Sequence, residues 1–105
     1  MILGVGINGH IAFNEPGSLK ESKTRLVELT PETKKINKTN KKALTMGIST
    51  ILSARKLLLL ASGKFKAEAI KHLIKGKVSR KCPVSFLKNH KNLIVIVDRD
   101  AASLV

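Results

Sequence analysis

The chain has 105 residues and a formal net charge of +13, with 20 Lys and Arg against 7 Asp and Glu. At this length one modest core is expected, and it must be aliphatic because the chain has three Phe and neither Trp nor Tyr. The longest apolar run, Leu57–Ala61, is too short to span a bilayer, and the single Cys82 excludes an internal disulfide, so a cytoplasmic protein is predicted.

The positive charge favours anionic partners, either polyanions or small anionic substrates. The basic residues are spread over every segment after Lys20, and the aromatic side chains that would stack on bases are nearly absent. This composition argues against specific nucleic-acid binding. A solvated, Lys-rich surface is the simpler explanation of the charge.

The first half of the chain is predicted to contain two strands and two helices. Ile2–Val5 is an apolar run that ends in glycines, and Arg25–Thr30 alternates polar and apolar residues, so both are predicted strands. Thr30 can cap a helix that has Pro31 at its first position. Apolar residues at three- and four-residue spacing then predict an amphipathic helix that includes Ala43, Leu44, Gly47, Ile48, Ile51 and Leu52.

The second half of the chain continues the alternation. Lys56–Gly63 is a continuous apolar run, typical of a parallel strand covered on both faces, and Asn92–Asp98 is the last predicted strand. Between them a helix is predicted over Phe65–Lys75, with Gly76 as its stop. Pro83 can begin a further short helix, and the final RDAASLV has the pattern of a helix start.

Alternating strands and helices predict an α/β fold with a mostly parallel sheet and flanking helices. In such sheets the reactive loops lie at the carboxyl ends of the strands. Three loops meet this condition, and they follow Gly4, Ser62 and Val97.

The first of these loops has the sequence GVGINGHIAFNEPGS, and its glycines fit the G-x-G-x-x-G pattern of dinucleotide-binding folds. That pattern requires a full helix after its third glycine, whereas Pro16 and Gly17 stop any helix after about two turns. An acid/base site at His10 and Glu15 is the second interpretation, because a nearby carboxylate can fix an imidazole for proton transfer. A histidine that only bonds a backbone carbonyl in a tight turn is the alternative.

The phrase LGVGINGHIAFNEPGS resembles the signature of glucosamine-6-phosphate deaminases, and the resemblance continues through SKTRLVELT, KKALTMGISTILSARKLLLLASGKFKAEAI and LIVIVDRDAASL. It implies a Rossmann-like α/β fold and conversion of glucosamine 6-phosphate and water to fructose 6-phosphate and ammonia. His10 then corresponds to the acid/base that opens the sugar ring, assisted by Glu15 and by Asn8. The resemblance implies no organic cofactor and no catalytic metal.

The same resemblance identifies Lys66 with the family lysine that contacts the sugar phosphate. A lysine at a strand-to-helix turn suits a phosphate, although Lys64 is a competing candidate in the same loop. Arg25 resembles a position used for allosteric phosphate binding in some members, and a surface arginine at a strand end explains it equally well.

The resemblance also implies that residues 1–105 form a single partial domain, the carboxyl-terminal half of the family's domain. The other half would supply a Gly/Thr-rich phosphate loop and the aspartate that moves the C2 proton. The segment Asn37–Lys42, around Thr39, is shorter than the relatives' mobile segment with its phosphate-binding arginine. The isolated chain is therefore predicted to be inactive, and full-length relatives are expected to be homo-oligomeric.

Three alternatives stay open at this point. One is 6-phosphogluconolactonase, a sugar-phosphate hydrolase with the same broad fold and a loop that carries a histidine. Another is a non-catalytic basic module that binds polyanions. The last is an unstable remnant whose exposed sheet edge promotes association.

Overall fold

The computed structural model describes residues 1–38 and 42–105. Within them, we number the strands and α-helices in chain order: β1 (Ile2–Leu3), β2 (Arg25–Val27), α1 (Pro31–Ile36), β3 (Ala43–Thr45), α2 (Ile48–Leu52), β4 (Leu57–Ala61), α3 (Ala67–Lys75) and β5 (Leu93–Val97). Two 3₁₀ helices, Lys64–Lys66 and Pro83–Asn89, complete the described elements.

A parallel sheet with the strand order β1-β4-β5 organises the fold. Ile2 pairs with Leu58, and Leu58 pairs with Ile94, so the three strands run in register in one direction. Helices α2 and α3 pack on one face, where Ile51, Leu59 and Ile70 belong to one buried aliphatic core. The predicted α/β class with a parallel sheet is confirmed.

The helix predicted from Ala43 is wrong in its first half. Residues Ala43–Thr45 form β3, which pairs antiparallel with β2 in a separate two-stranded sheet. Leu44, placed on the buried face by the helical spacing, is 74% exposed. The helix begins only after Gly47, where a Cβ would stand 2.1 Å from the carbonyl oxygen of Ser22. Pairing between distant segments therefore overrides the local periodicity.

Other predicted boundaries shift by a few residues. Strand β2 ends at Val27, and Thr30 caps α1 as expected, because its hydroxyl oxygen accepts a hydrogen bond of 3.3 Å from the amide of Thr33. A 3₁₀ turn precedes α3, and the segment after β5 forms hydrogen-bonded turns instead of a helix. Among residues 1–38 and 42–105, no helix has the length and apolar character needed to cross a membrane.

One face of the parallel sheet is exposed, which corrects the expectation that β4 is covered on both faces. Leu57 and Leu59 point into the core, while Ile94 and Ile96 on the other face of the sheet are 58% and 56% exposed. Leu60, which pairs with Ile96, shares that exposed face. We call this surface the open sheet face; it consists of Ile2, Leu58, Leu60, Ile94 and Ile96.

The open sheet face predicts different losses of stability for two neighbouring leucines. Leu59→Ala should lower the free energy of unfolding by about 2–5 kcal/mol, because it leaves a cavity in the core. Leu60→Ala should lower it by no more than about 1 kcal/mol, because this side chain already contacts solvent. Urea denaturation at several protein concentrations measures both values, and equal losses would show that the open sheet face is covered.

Candidate active site

The loop after β1 is closed by its own backbone hydrogen bonds. The amide of Gly6 donates to the carbonyl oxygen of His10 over 2.8 Å, and the amide of Gly9 donates to that of Gly6 over 3.0 Å. The residues after Gly9 form turns, not the helix that a dinucleotide-binding loop needs. The loop therefore lacks the helix that binds a pyrophosphate, and this geometry argues against dinucleotide binding.

His10 and Glu15, the two residues predicted to work together, are in direct contact. His10 Nδ1 lies 2.8 Å from Glu15 Oε1, and both side chains are largely buried. Asn8 touches both residues: its amide donates to Glu15 Oε1 over 3.4 Å, and its oxygen accepts from the His10 backbone N–H over 3.1 Å. An amide can make both bonds at once because it has a donor and an acceptor.

Two threonines complete the surroundings of the Glu15 carboxylate, and neither of them was assigned to the site from the sequence. The backbone N–H of Thr30 donates to Oε2 over 2.7 Å, and the hydroxyl of Thr33 donates to Oε1 over 3.1 Å. Both residues belong to the start of α1, where the sequence identified Thr30 only as a helix cap. The start of this helix therefore also binds the carboxylate.

These contacts set the protonation states of the pair. Burial alone would raise the pKa of the Glu15 carboxyl, but hydrogen bonds from Thr30 and Thr33 and the charge of His10 outweigh it and lower the pKa. Burial lowers the pKa of His10 below 6.5, Glu15 opposes this effect, and the nearby charge of Lys66 reinforces it. Near neutral pH an ionised carboxylate therefore faces a neutral imidazole, whose Nδ1–H it accepts, and Nε2 is left as the basic nitrogen.

A cavity of about 320 Å³ lies beside this pair, at the carboxyl end of the parallel sheet. Its polar side chains come from His10, Thr33, Asn37 and Lys66. Lys66 follows β4 and donates a hydrogen bond to the carbonyl oxygen of Val5, which holds it at the cavity wall. Lys64, the competing candidate, is not among the lining residues. The loops after β1 and β4 thus meet at one site.

Two glycines of the loop are needed for close packing. A Cβ on Gly6 would lie 2.2–2.4 Å from the ring atoms of His10, so any side chain there would displace the imidazole. Gly9 has a φ of 86°, and a Cβ on it would lie 2.5 Å from the Sγ of Cys82. The ring orientation therefore depends on the absence of a side chain at Gly6.

Two other residues support the site without lining its cavity. Both carboxylate oxygens of Asp98 accept from the Gly63 amide at 3.1 Å, which joins the exit of β5 to the turn that carries Lys66. The guanidinium of Arg25 donates to the side-chain oxygen of buried Asn14 over 2.9 Å. The arginine thus helps to hold the loop in place. The segment around Thr39, predicted to be shorter than the relatives' mobile segment, includes residues 39–41, which lie outside the described residues.

Comparisons with known proteins extend these observations. The family model of glucosamine-6-phosphate isomerases/6-phosphogluconolactonase matches residues 1–96. Glucosamine-6-phosphate deaminase from Thermoanaerobacter sp. (strain X514) is 49% identical over 112 residues, covering 99% of this chain and 44% of that protein. Glucosamine-6-phosphate deaminase 1 from Bacillus subtilis (strain 168) is 49% identical over 111 residues, covering 98% and 46%. The chain spans less than half the length of these curated relatives.

Solved structures share the fold. A monomeric glucosamine-6-phosphate deaminase superposes with a TM-score of 0.94 at 48% identity, covering all of this chain and 47% of that one. The 6-phosphogluconolactonase from Trypanosoma cruzi superposes with a TM-score of 0.79 at 25% identity, covering 97% and 39%. The similarity to the deaminase is thus higher in both sequence and structure.

The contact between Thr33 and Glu15 predicts a pH-dependent stability. A carboxyl whose pKa is lowered on folding stabilises the fold fully above pH 4.5, the ordinary pKa of a glutamate. This contribution is lost as the pH falls through the lower pKa of the folded state. Thr33→Val removes the hydroxyl donor, so it should raise the Glu15 pKa and reduce stability at pH 7 by about 1 kcal/mol. Thr33→Ser, the matched control, keeps the hydroxyl donor, so its Glu15 pKa and its stability should stay close to those of the original chain.

NMR titration of the Glu15 carboxyl, combined with urea denaturation between pH 3 and 7, measures both quantities. Identical pKa values in the Val and Ser variants would contradict a role of the hydroxyl at the carboxylate.

The charge of Lys66 predicts the titration of His10. Removing a nearby cation makes protonation of the imidazole easier, so Lys66→Met should raise the pKa of His10. Lys64→Met is the matched control and should leave it unchanged, since Lys64 does not line the cavity. NMR titration of the His10 ring provides the measurement, and equal shifts in both variants would refute the assignment of Lys66 to the site.

Proposed function

This chain belongs to the family of glucosamine-6-phosphate isomerases and 6-phosphogluconolactonases, and we propose that it carries the ring-opening part of a glucosamine-6-phosphate deaminase site. The observation that carries the proposal is the buried His10–Glu15 pair beside a cavity walled by Lys66. A neutral imidazole held by a carboxylate is suited to proton transfer near neutral pH. The assignment of His10, Glu15, Asn8 and Lys66 to catalysis and phosphate binding is part of this proposal.

Ring opening requires one proton to leave the anomeric hydroxyl and one to reach the ring oxygen. In the proposed step, Nε2 of His10 accepts the first proton while Nδ1–H remains bonded to Glu15. The resulting imidazolium is stabilised by the carboxylate, and it returns the proton to the ring oxygen as the C1–O5 bond breaks. Asn8 orients the pair by bonding to both residues.

The phosphate of the substrate is proposed to bind at Lys66. Lys66 lies in the turn after β4, and the Asp98–Gly63 hydrogen bonds hold that turn in place. A cation fixed at a cavity wall can anchor a dianionic phosphate and so position the sugar ring against His10. This supports a sugar phosphate as the small-molecule substrate.

The later step, transfer of the C2 proton, needs a second base. No carboxylate is among the described residues that line the cavity, so Glu15 is not placed to take this role. We therefore propose that the chain corresponds to the carboxyl-terminal half of the family's domain and that the enolisation base lies in the other half. The whole reaction consumes water and releases ammonia, which makes it a hydrolytic deamination coupled to isomerisation.

The open sheet face supports this proposal. Five aliphatic side chains on one face of a three-stranded parallel sheet form a surface that proteins normally cover. In the solved deaminase the matching region is 47% of the chain, so the rest of that protein is available to cover it. The same deaminase is monomeric, whereas full-length relatives were expected to be homo-oligomeric; that expectation stays a prediction for the relatives, and the cytoplasmic location stays one for this chain.

The lactonase reaction is the second candidate. The matched lactonase is 25% identical with a TM-score of 0.79, compared with 48% and 0.94 for the deaminase. The fold alone therefore suits both reactions, and the higher identity favours the deaminase.

Fusing the chain to the amino-terminal part of a relative, which has no counterpart in this chain, tests the proposal. The amino-terminal part of Bacillus subtilis glucosamine-6-phosphate deaminase 1 is joined to Met1 of this chain. The chimera should release ammonia from glucosamine 6-phosphate, whereas the 105-residue chain alone should not, because it lacks the second base. A folded chimera that hydrolyses 6-phosphogluconolactone but releases no ammonia would favour the lactonase.

A pair of histidine variants in the chimera tests the proposed acid/base. His10→Asn should lower kcat by about 10²–10⁴, the usual contribution of general acid–base catalysis. His72→Asn is the matched control on the exposed side of α3 and should retain full activity. Equal rates for both variants would exclude His10 as the acid/base.

A further inference from the structure

A second cavity, larger than the first, lies at the opposite end of the parallel sheet. It is an open cavity of about 690 Å³, and Lys56 and Asn92, which immediately precede β4 and β5, both line it. We call it the amino-edge cavity. Its volume falls within the range of small-molecule sites, which is roughly 300–1,000 Å³. We propose that it binds a phosphorylated small molecule that carries an apolar or aromatic group.

The charge around the amino-edge cavity is uniformly positive. Four cationic side chains line it, and none of its lining residues is acidic: the cations are Lys20, Arg55, Lys56 and Lys91. In the described part of the chain the ion pairs are His10–Glu15 and Lys34–Glu28, so none of these four cations forms an ion pair with a carboxylate there. Like charges around one cavity repel each other, and a bound multivalent anion relieves that repulsion.

Side-chain hydrogen bonds hold the walls of this cavity together. The ring of His90 lies with Nε2 2.7 Å from the carbonyl oxygen of Ala54 and accepts at Nδ1 from the amide of Asn92 over 3.1 Å. Asn92 in turn donates from its side chain to the carbonyl oxygen of Arg55 over 3.0 Å. The segments that carry Arg55 and Lys91 are therefore fixed relative to each other before any ligand arrives, which lowers the entropy lost on binding.

The floor of the cavity is apolar, which suits the apolar or aromatic group of the proposed ligand. Leu52, Ala54 and Phe86 line it beneath the charged rim. An organic group attached to the phosphate would cover these side chains, whereas inorganic phosphate would leave them in contact with water. A long nucleic acid fits less well, because the chain has three Phe and no Tyr or Trp to stack on successive bases.

Binding of ADP to the full 105-residue chain tests the proposal, with adenosine and pyrophosphate as its two separate parts. In ¹⁵N NMR titrations, ADP should shift the amides of residues 54–56 and 89–92 and reach saturation. Adenosine and pyrophosphate should each bind at least about tenfold more weakly, and added salt should weaken ADP binding. Adenosine that binds as tightly as ADP, or an RNA oligonucleotide that displaces ADP at equal phosphate concentration, would overturn the proposal.

Two matched double variants identify the site. Lys56→Gln with Lys91→Gln removes two rim cations and should raise the Kd for ADP about tenfold. Lys75→Gln with Lys77→Gln removes the same charge elsewhere and should leave the Kd nearly unchanged. All four positions are exposed, and circular dichroism confirms folding of each variant. An equal increase in Kd in both double variants would show that the effect depends only on net charge, which would contradict the proposed site.

A third variant separates this site from the candidate active site. Lys66→Met removes the proposed phosphate contact in the first cavity, and ADP binding at the amino-edge cavity should persist in it. Shifts that disappear in Lys66→Met would assign ADP to the first cavity and refute the second site. Failure of the deaminase proposal would leave this result unchanged, because the two cavities share no lining residue.

Discussion

The buried carboxylate of Glu15 is the constraint on which the rest of the site depends. A buried charge is tolerated only when hydrogen bonds satisfy it, and Glu15 receives them from Asn8, Thr30 and Thr33 while it faces His10. These donors belong to two elements, the loop after β1 and the start of α1. The carboxylate therefore fixes the position of a helix as well as the orientation of a ring, and neither can be changed without the other.

The sequence predicted the fold best where local signals act alone. The apolar runs at β4 and β5, the Thr30 cap and the Gly76 stop are each specified within a few residues, and the structure confirms them. The helix predicted from Ala43 failed because β3 is stabilised by pairing with β2, about twenty residues away. Coverage of β4 also could not be read from its composition, since a run of leucines looks the same whether one face is buried or both.

The site was predictable to the extent that its residues are close in sequence. Asn8, His10 and Glu15 lie within one loop, and their spacing and family resemblance placed them together before any geometry was known. The role of Thr33 depends on how α1 packs on that loop, and no local pattern shows that a threonine in the first turn of a helix also donates to a distant carboxylate. Which of Lys64 and Lys66 lies at the cavity likewise depends on the turn after β4, and Lys66 is the one that lines it.

The contact between Gly9 and Cys82 joins the loop after β1 to a segment more than seventy residues later in the chain. The sulfur occupies the space that a Cβ on Gly9 would need, and the next 3₁₀ helix is tied to the same point by the Val84 amide, which donates to the Gly9 carbonyl oxygen over 2.8 Å. A larger residue at either position would collide with the other residue. A residue larger than cysteine at position 82 should therefore be disfavoured during evolution, because Gly9 cannot become smaller and its φ of 86° disfavours any side chain at position 9.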